Sequence, residues 1–214
     1  TGGDCNTLGE VWDAAEPGND QTAGQFRKAG VVMLFPSLRG GNENPGPQES
    51  FLGEVDDVLA AADFLAKQPY VDPQRIYLGG HSTGGTLVLL VAESSPRFAA
   101  VFSLGPVSEI DGYPPDMFHC EPTEQEIRLR SPGYWLHSIQ SPTFVIEGTE
   151  GNALELVKMQ RRNQNKKAKF FLVQGADHFG VIGPINALLA KKVATGTGPI
   201  SISGEELQAA YQGR

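Results

Sequence analysis

Three features that are missing or scarce narrow the range of functions open to this chain. No run of about 18 consecutive apolar residues occurs, so no membrane span is predicted. The formal net charge is −8 and there is no basic stripe, which argues against nucleic acid as a partner. The 2 cysteines, Cys5 and Cys120, are too few for a disulfide-rich scaffold. They predict either two free thiols or a single disulfide.

The sequence also lacks signals for targeting and for metal or cofactor binding. No signal-peptide pattern is present, so we expect a cytoplasmic protein. Because the chain starts at Thr1 and not at Met, a signal peptide on a longer chain stays open as the alternative. There is no H-E-x-x-H, no paired C-x-x-C and no phosphate-binding P-loop, so neither a metal nor an organic cofactor is expected.

Short apolar runs alternate along the chain with longer, helix-like segments. The predicted strands are 31–35, 75–78, 99–104, 143–146 and 169–173, and the predicted helices are 50–67, 84–92, 153–162, 181–193 and 204–211. This alternation predicts an α/β fold with a mainly parallel sheet and helices on both faces. A length of 214 residues suits a single domain, 1–214, with an irregular, lid-like insertion at about 107–140. Such folds bind ligands at the carboxyl ends of their strands.

A nucleophile motif follows the second predicted strand. Residues 80–84 read G-x-S-x-G, between that strand and the next predicted helix. In this context the sharp strand-to-helix turn lifts a serine hydroxyl above the sheet, and the glycines avoid clashes in the bend. We therefore predict Ser82 as a nucleophile. The backbone N–H of Thr83, at the helix N-terminus, is then one donor to the oxyanion.

The general base must follow the serine along the chain in this arrangement. Of the 4 histidines, His81 lies inside the motif and is expected to point away from Ser82. His119 and His137 lie in the insertion, where surface or lid roles are expected. His178 comes directly after the last predicted strand, which is the position that the base requires. We predict His178 as the base.

The acid that orients the base should follow the strand that ends at Ile146. The loop there contains no Asp but has two Glu residues, and Glu can take the place of Asp in a triad. Glu150 lies in the loop itself and is the preferred candidate, whereas Glu147, nearer the strand, is the alternative. Asp177 is a poor candidate, since a neighbour of the base rarely reaches around its own imidazole. A vacant acid position is the third possibility.

Taken together, the chain resembles the catalytic domain of the prolyl oligopeptidase family, the S9-type peptidases of the α/β-hydrolase fold. The matching stretches are Gly2-Gly3, Arg39-Gly40, 71–76, 130–132, 141–143 and 175–178, in the order of the family. The resemblance implies that Ser82 attacks an ester or peptide carbonyl and forms an acyl-enzyme, with His178 moving the proton. It also implies that the backbone N–H groups of Gly3 and Thr83 bind the oxyanion. Arg39 is expected to hold its own loop by hydrogen bonds, with substrate binding as the alternative.

Three departures from the family pattern affect what we expect. Family members usually carry H-G-x-x-D after the acid strand, but simple counting places Gly151 at the Asp, and a one-residue gap would place Glu150 there. Thr1 stands where the first family motif has His. The strands that precede this motif in the family are missing, so the fold is expected to lack its first strands, as in an N-terminally truncated domain. A second copy of the chain is a candidate to cover the open sheet edge.

Aromatic residues in the insertion are candidates for substrate contact. Tyr113, Phe118, Tyr134 and Trp135 would form an apolar wall over the site, and a small satellite core is the structural alternative. Three functions follow as hypotheses. The first is hydrolysis of a peptide or small ester, and the second is carboxylesterase activity without peptidase activity. The third is a catalytically inactive module that binds a ligand or partner.

Overall fold

The computed structural model describes residues 18–121 and 123–213. At its centre lies a parallel sheet of four strands in the order β1-β2-β3-β4. The strands are β1 (Tyr77–His81), β2 (Ala100–Leu104), β3 (Thr143–Gly148) and β4 (Ala168–Val173). Since all four run in the same direction, their carboxyl ends meet at one edge of the sheet. The predicted α/β class and the parallel sheet are confirmed.

The described residues form seven helices. They are α1 (Gly24–Lys28), α2 (Glu54–Ala66), α3 (Thr83–Ser94), α4 (Glu124–Arg130), α5 (Ala153–Arg162), α6 (Ile182–Thr195) and α7 (Gly204–Gln212). Five of them correspond to helices predicted from the apolar spacing. The short α1 and α4 were not predicted.

The helices pack on both faces of the sheet, as the alternation predicts. Helices α2, α3 and α5 contribute to one apolar core, which includes Val101 and Val145 from the strands. Helices α1, α6 and α7 contribute to the other, which includes Phe102 and Phe144. Because side chains alternate along a strand, neighbouring residues of β2 and β3 enter opposite cores. Burial on both faces explains why these strands read as continuous apolar runs.

The strand predicted at 31–35 is not formed, which corrects the sequence analysis. These residues have no strand pairing, and Val32 is 54 % exposed. A cavity of about 670 Å³ is lined both by 31–38 and by β1. Among the described residues β1 pairs only with β2, so 31–35 has no neighbouring strand with which to form a ladder. Coverage of this edge by a second copy stays a prediction.

The insertion is more ordered than the sequence suggested. It contains α4 and four 3₁₀ turns, at Ile110–Gly112, Pro115–Met117, Pro132–Tyr134 and Leu136–Ser138. The buried Arg130 side chain holds it to the rest of the domain, because its Nε donates to the carbonyl oxygen of Glu49 at 3.0 Å. None of the helices in the described part of the chain is long and apolar enough to cross a membrane.

Candidate active site

Ser82 occupies a strained turn between β1 and α3. Its φ of 57° and ψ of −119° lie in a backbone region that non-glycine residues rarely adopt. Gly80 permits the turn, since a Cβ at that position would lie 2.1 Å from the carbonyl oxygen of Gly84. The Ser82 N–H donates to the carbonyl oxygen of Leu104 at 2.8 Å, which ties the turn to the end of β2. This is the geometry that the G-x-S-x-G context predicts.

A histidine–carboxylate pair lies at the same edge of the sheet. Nδ1 of His178 lies 2.9 Å from Oε2 of Glu147, and the Glu147 side chain is only 1 % exposed. The carboxylate is fixed by two backbone donors, the N–H of Gly148 at 2.6 Å and the N–H of Asn152 at 3.1 Å. Because a carboxylate only accepts, Nδ1 of His178 donates to it. That tautomer leaves Nε2 unprotonated, as a general base requires.

Gly105 brings the turn and the pair together. It follows Leu104, to which Ser82 is bonded, and its φ is +63°. A Cβ on Gly105 would lie 2.5 Å from Cε1 of His178 and 2.9 Å from Oε2 of Glu147. Asn152 Nδ2 also donates to the Gly105 carbonyl at 3.2 Å. The Ser82 turn, His178 and Glu147 thus all lie next to the end of β2.

Glu150, the preferred acid candidate, is not the carboxylate that contacts His178, so the preference for it over Glu147 is wrong. Strand β3 continues to Gly148, two residues beyond the predicted end at Ile146, so the pleat turns the Glu147 side chain inward. Glu150 is exposed, and its backbone N–H donates to the carbonyl oxygen of Ala176. The alternative acid, Glu147, is therefore the carboxylate that contacts the histidine.

Comparison with known proteins identifies the family of the chain. The sequence model of the prolyl oligopeptidase family matches residues 19–186, which is most of the chain. The chain belongs to the prolyl oligopeptidase family. It is therefore a member of a family of serine hydrolases with the α/β-hydrolase fold.

Relatives in or near the family match the chain over part of its length. The dual function macrocyclase-peptidase POPB of Galerina marginata (strain CBS 339.88) is 34 % identical over 89 residues, which are 38 % of this chain and 12 % of that protein. The uncharacterized peptidase YtmA of Bacillus subtilis (strain 168) is 29 % identical over 144 residues, 58 % of this chain and 53 % of that protein. The structure of Porphyromonas gingivalis dipeptidyl peptidase 4 superimposes with a TM-score of 0.58 at 20 % identity, and covers 68 % of this chain and 23 % of that one. The chain thus spans about half of the Bacillus peptidase and a smaller share of the other two.

His81, the histidine inside the nucleophile motif, contacts the loop that carries His178. His81 is 5 % exposed, and its Nε2 donates to the backbone carbonyl oxygen of His178 at 2.9 Å. The two rings lie 4.5 Å apart between centroids. Burial, together with the neighbouring His178, lowers the pKa of His81 to about 3, so this ring stays neutral near pH 7. His81 points away from solvent and holds the loop that carries His178.

Acid is expected to destabilise the protein partly through His81. An unfolded histidine titrates near 6.5, whereas the pKa of His81 in the folded protein is about 3. Between these values only the unfolded chain binds the proton. The free energy of unfolding should therefore fall as the pH decreases below about 6.5, by up to about 1.4 kcal/mol per pH unit. Urea denaturation at several pH values between about 4.5 and 7.5 measures this slope.

The matched variants for this measurement are His81→Gln and His137→Gln. His137 is exposed, and its variant is the control for the loss of one histidine. His81→Gln should reduce the slope by up to one proton. Equal slopes in all three proteins would contradict the neutral, buried state assigned to His81.

Two aromatic rings stack close to Ser82. The Tyr113 hydroxyl lies 2.7 Å from Oγ1 of Thr86, whose N–H bonds to the Ser82 carbonyl. Phe51 stacks on Tyr113 with the ring centroids 5.7 Å apart. Phe51 was not predicted to lie near the site, because its apolar spacing placed it inside a helix. It instead has a φ of 76°, and α2 begins after it, at Glu54.

Arg39 holds the segment that carries Phe51. Its guanidinium bonds to Asp57 at 3.0 Å and to Glu49 at 2.7 Å, and its backbone N–H also donates to Asp57. These bonds join the two sides of the turn that contains Phe51. The family Arg-Gly motif thus has the structural role that was expected of it.

Two of the four aromatic residues predicted to contact substrate, Tyr134 and Trp135, make other contacts, which corrects that part of the prediction. Trp135 lines a cavity at the carboxyl end of α3, beside Glu93 and Ser94, whereas Ser82 precedes the other end. At about 1.5 Å per residue these ends are roughly 16 Å apart. The Tyr134 hydroxyl donates to Glu109 at 2.6 Å, and Arg128 and Arg162 lie against its ring, so Tyr134 joins the insertion to α5.

The other two members of the predicted wall keep their place as predictions. Tyr113 lies near the turn, as described above, and Phe118 is half-buried in the same segment of the insertion. Phe179 was also not predicted; it is 48 % exposed, and its ring meets the His178 ring edge-on with the centroids 5.0 Å apart. Its position directly after the histidine was the available signal.

Some predicted residues lie outside the described part of the chain. Gly3, the second proposed oxyanion donor, and Cys5 are among them. Thr83 is buried at the start of α3, where its backbone belongs to the positive end of the helix. Cys120 is half-buried and forms no disulfide within the described residues. No group of three His, Cys, Asp or Glu side chains that could hold a metal ion occurs in that part of the chain.

Proposed function

We propose that this protein cleaves a peptide or small carboxylic ester through an acyl-enzyme on Ser82, with His178 as general base and Glu147 as the orienting acid. The observation that carries the proposal is the hydrogen bond between the buried carboxylate of Glu147 and Nδ1 of His178, next to the serine turn. A buried carboxylate in this place holds the imidazole in the tautomer that can accept a proton at Nε2.

The reaction would proceed in two stages. The Ser82 oxygen attacks the carbonyl carbon of the substrate, and its proton passes to Nε2 of His178. When the tetrahedral intermediate collapses, the bond to the leaving group breaks and His178 gives it the proton. Water then attacks the acyl-enzyme by the same route and regenerates Ser82. The backbone N–H groups of Thr83 and Gly3 would stabilise the oxyanion in both stages.

The acyl part of the substrate is proposed to lie against aromatic rings. The candidates are Tyr113, on which Phe51 stacks, and Phe179, which contacts the His178 ring, and Phe118 is a further candidate. Both curated relatives described above are named peptidases, which supports a peptide as substrate. Carboxylesterase activity without peptidase activity is the alternative, because the same triad cleaves both bonds.

The competing hypothesis is an inactive module that only binds a ligand. Two features speak against it. The strained φ at Ser82 is a cost that a binding module does not need, and Glu147 is a fully buried carboxylate whose partners orient it toward His178. Both features support an active hydrolase.

A fluorophosphonate probe tests the proposal directly, because it reacts with activated serine hydroxyls. We expect stoichiometric labelling, located by mass spectrometry at Ser82 in the tryptic peptide 76–97. Protein unfolded in urea serves as the control and should remain unlabelled, since activation depends on His178. Absence of labelling in the folded protein would favour the inactive module.

A further inference from the structure

Glu93 has an environment that the proposed hydrolysis does not explain. It lies in the last turn of α3, its side chain is 9 % exposed, and both carboxyl oxygens lack a hydrogen-bond partner. Burial raises the pKa of this carboxyl well above its usual value. A polar group so deeply buried is normally paired, because leaving it unpaired is costly. The missing partner of Glu93 therefore needs an explanation.

The cationic side chains nearby do not supply that partner. Arg97 lies four residues beyond Glu93, but its Nε donates to Asp63 at 3.2 Å. Arg128, on the neighbouring α4, lies over the rings of Tyr134 and Trp135. Among the ion pairs of the described residues none includes Glu93.

The Glu93 side chain borders a cavity of about 280 Å³. The cavity lies between the end of α3, the end of α4 and the turns that follow α4. Its lining residues are Leu90, Glu93, Ser94, Leu129, Trp135 and Ser138. Ser94 is exposed and Leu129 is 41 % exposed, so the cavity reaches the surface. This volume suits one small group and its stem, not a large ligand.

The local electrostatics favour a positive charge in this cavity. The carboxyl end of a helix carries partial negative charge, and Glu93 adds an acid to that end of α3. The indole of Trp135 attracts cations to its face, and a guanidinium, that of Arg128, already lies 5.7 Å from the centre of this ring. The carboxyl group of Glu93, the carboxyl end of α3 and the indole of Trp135 thus all favour a positive charge.

The lining also indicates which kind of cation would fit. A hard metal ion takes six or more oxygen ligands, and no cluster of three acidic, His or Cys side chains occurs in the described residues. Leu90, Leu129 and Trp135 offer instead an apolar surface for a hydrocarbon stem. An ammonium or guanidinium group on an alkyl chain matches both the acid and the apolar lining.

We propose that this cavity is a binding site for an organic cation, an alkylammonium or alkylguanidinium group that pairs with Glu93. A free amine and the lysine or arginine side chain of a peptide both carry such a group, and the chemistry of recognition is the same. The site lies at the end of α3 opposite to Ser82, roughly 16 Å away by helix rise, and does not depend on the proposed hydrolysis.

Calorimetric titration of the protein with n-butylammonium, with n-butanol as the neutral control, tests the proposal. We expect saturable one-site binding of the cation and none of the alcohol. Glu93→Gln replaces the carboxyl that can ionise to pair with the cation by an amide of nearly the same shape, and should weaken binding at least about tenfold. Glu205→Gln, at an exposed position, should bind as the wild type does. Trp135→Leu, which keeps Glu93, should weaken binding several-fold and is the second variant if Glu93→Gln does not fold.

A second pair of probes separates the two sources of the cation. Tighter binding of acetyl-arginine amide than of n-butylammonium would indicate a peptide side chain, and the reverse order would indicate a free amine. Failure of all these cations to bind the wild type, or equal binding by wild type and Glu93→Gln, would overturn the proposal. So would binding of n-butanol as tight as that of the ammonium ion.

Discussion

Replacing Ser82 by alanine is expected to lower kcat for p-nitrophenyl ester hydrolysis by about 10⁵- to 10⁶-fold, as the loss of the nucleophile does in a serine protease. The reason is that the acyl-enzyme requires a hydroxyl at the top of the strained turn, and a water molecule held there lacks the same orientation. The turn itself rests on Gly80 and on the bond from the Ser82 N–H to Leu104, which alanine preserves. The fold should therefore survive the change.

The control for this variant is Ser201→Ala, at an exposed position outside the helices and strands. It should keep the activity of the wild type. Circular dichroism and thermal unfolding of both variants would show that the loss is chemical. If Ser82→Ala retained more than about a tenth of the wild-type kcat with the fold intact, Ser82 would not be the nucleophile.

The sequence predicts the parts of the site that depend on local pattern and on parallel topology, which are Ser82 and His178. The glycines around Ser82 specify a tight turn at their own positions, and the apolar runs on either side mark the strand and the helix. His178 follows a strand whose end must lie at the same sheet edge as the turn. Local pattern and parallel topology together place these two residues without any knowledge of distant contacts.

The remaining parts depend on contacts between residues far apart in sequence. The end of β3 is set by pairing of Glu147 and Gly148 with Leu172 and Val173 of β4, so no local signal shows that the strand extends past Ile146. That extension decides which glutamate faces inward. For residues 31–35 the sequence predicts a strand that does not form. Their pattern suits a strand, but no neighbouring strand is present to pair with them among the described residues.

The position of Phe51 shows a third kind of limit. Its spacing from Val55 and Val58 suits a helix face, and the helix would have been continued back to it by periodicity alone. The bonds from Arg39 to Glu49 and Asp57 instead hold this stretch as a turn with positive φ at Ser50 and Phe51. The ion pairs of Arg39 therefore outweigh local helix preference at the turn that contains Phe51.

The choice between the two glutamates leads to the second large expected effect. Glu147→Gln should lower kcat by about 10⁴-fold, as the corresponding acid-to-amide change does in a serine-protease triad. An amide at this place can present its NH₂ group to Nδ1 of His178, which would then stabilise the opposite tautomer and leave Nε2 protonated. It would also remove the negative charge that stabilises the imidazolium in the transition state. Steady-state kinetics on a p-nitrophenyl ester measure this loss.

Glu150→Gln is the matched control, since it makes the same chemical change three residues away on an exposed side chain. It should keep kcat within a few-fold of the wild type. Glu147→Asp, which retains the charge on a shorter side chain, should recover part of the activity lost in Glu147→Gln if charge and orientation are the cause. A merely structural role for Glu147 would instead lower thermal stability in both Glu147 variants without separating their kcat values.

The opposite ranking of the two amide variants would transfer the acid role to Glu150, against the 2.9 Å contact between Glu147 and His178. Near-normal activity in both would mean that Ser82 and His178 act as a dyad. The tautomer itself provides an independent readout, because the ¹⁵N shifts of the His178 ring distinguish a proton on Nδ1 from one on Nε2. In the wild type and in Glu150→Gln the proton should lie on Nδ1, and only in Glu147→Gln should a substantial fraction move to Nε2. Agreement of this shift with the kinetic loss would show that the buried carboxylate acts by setting the protonation of the base.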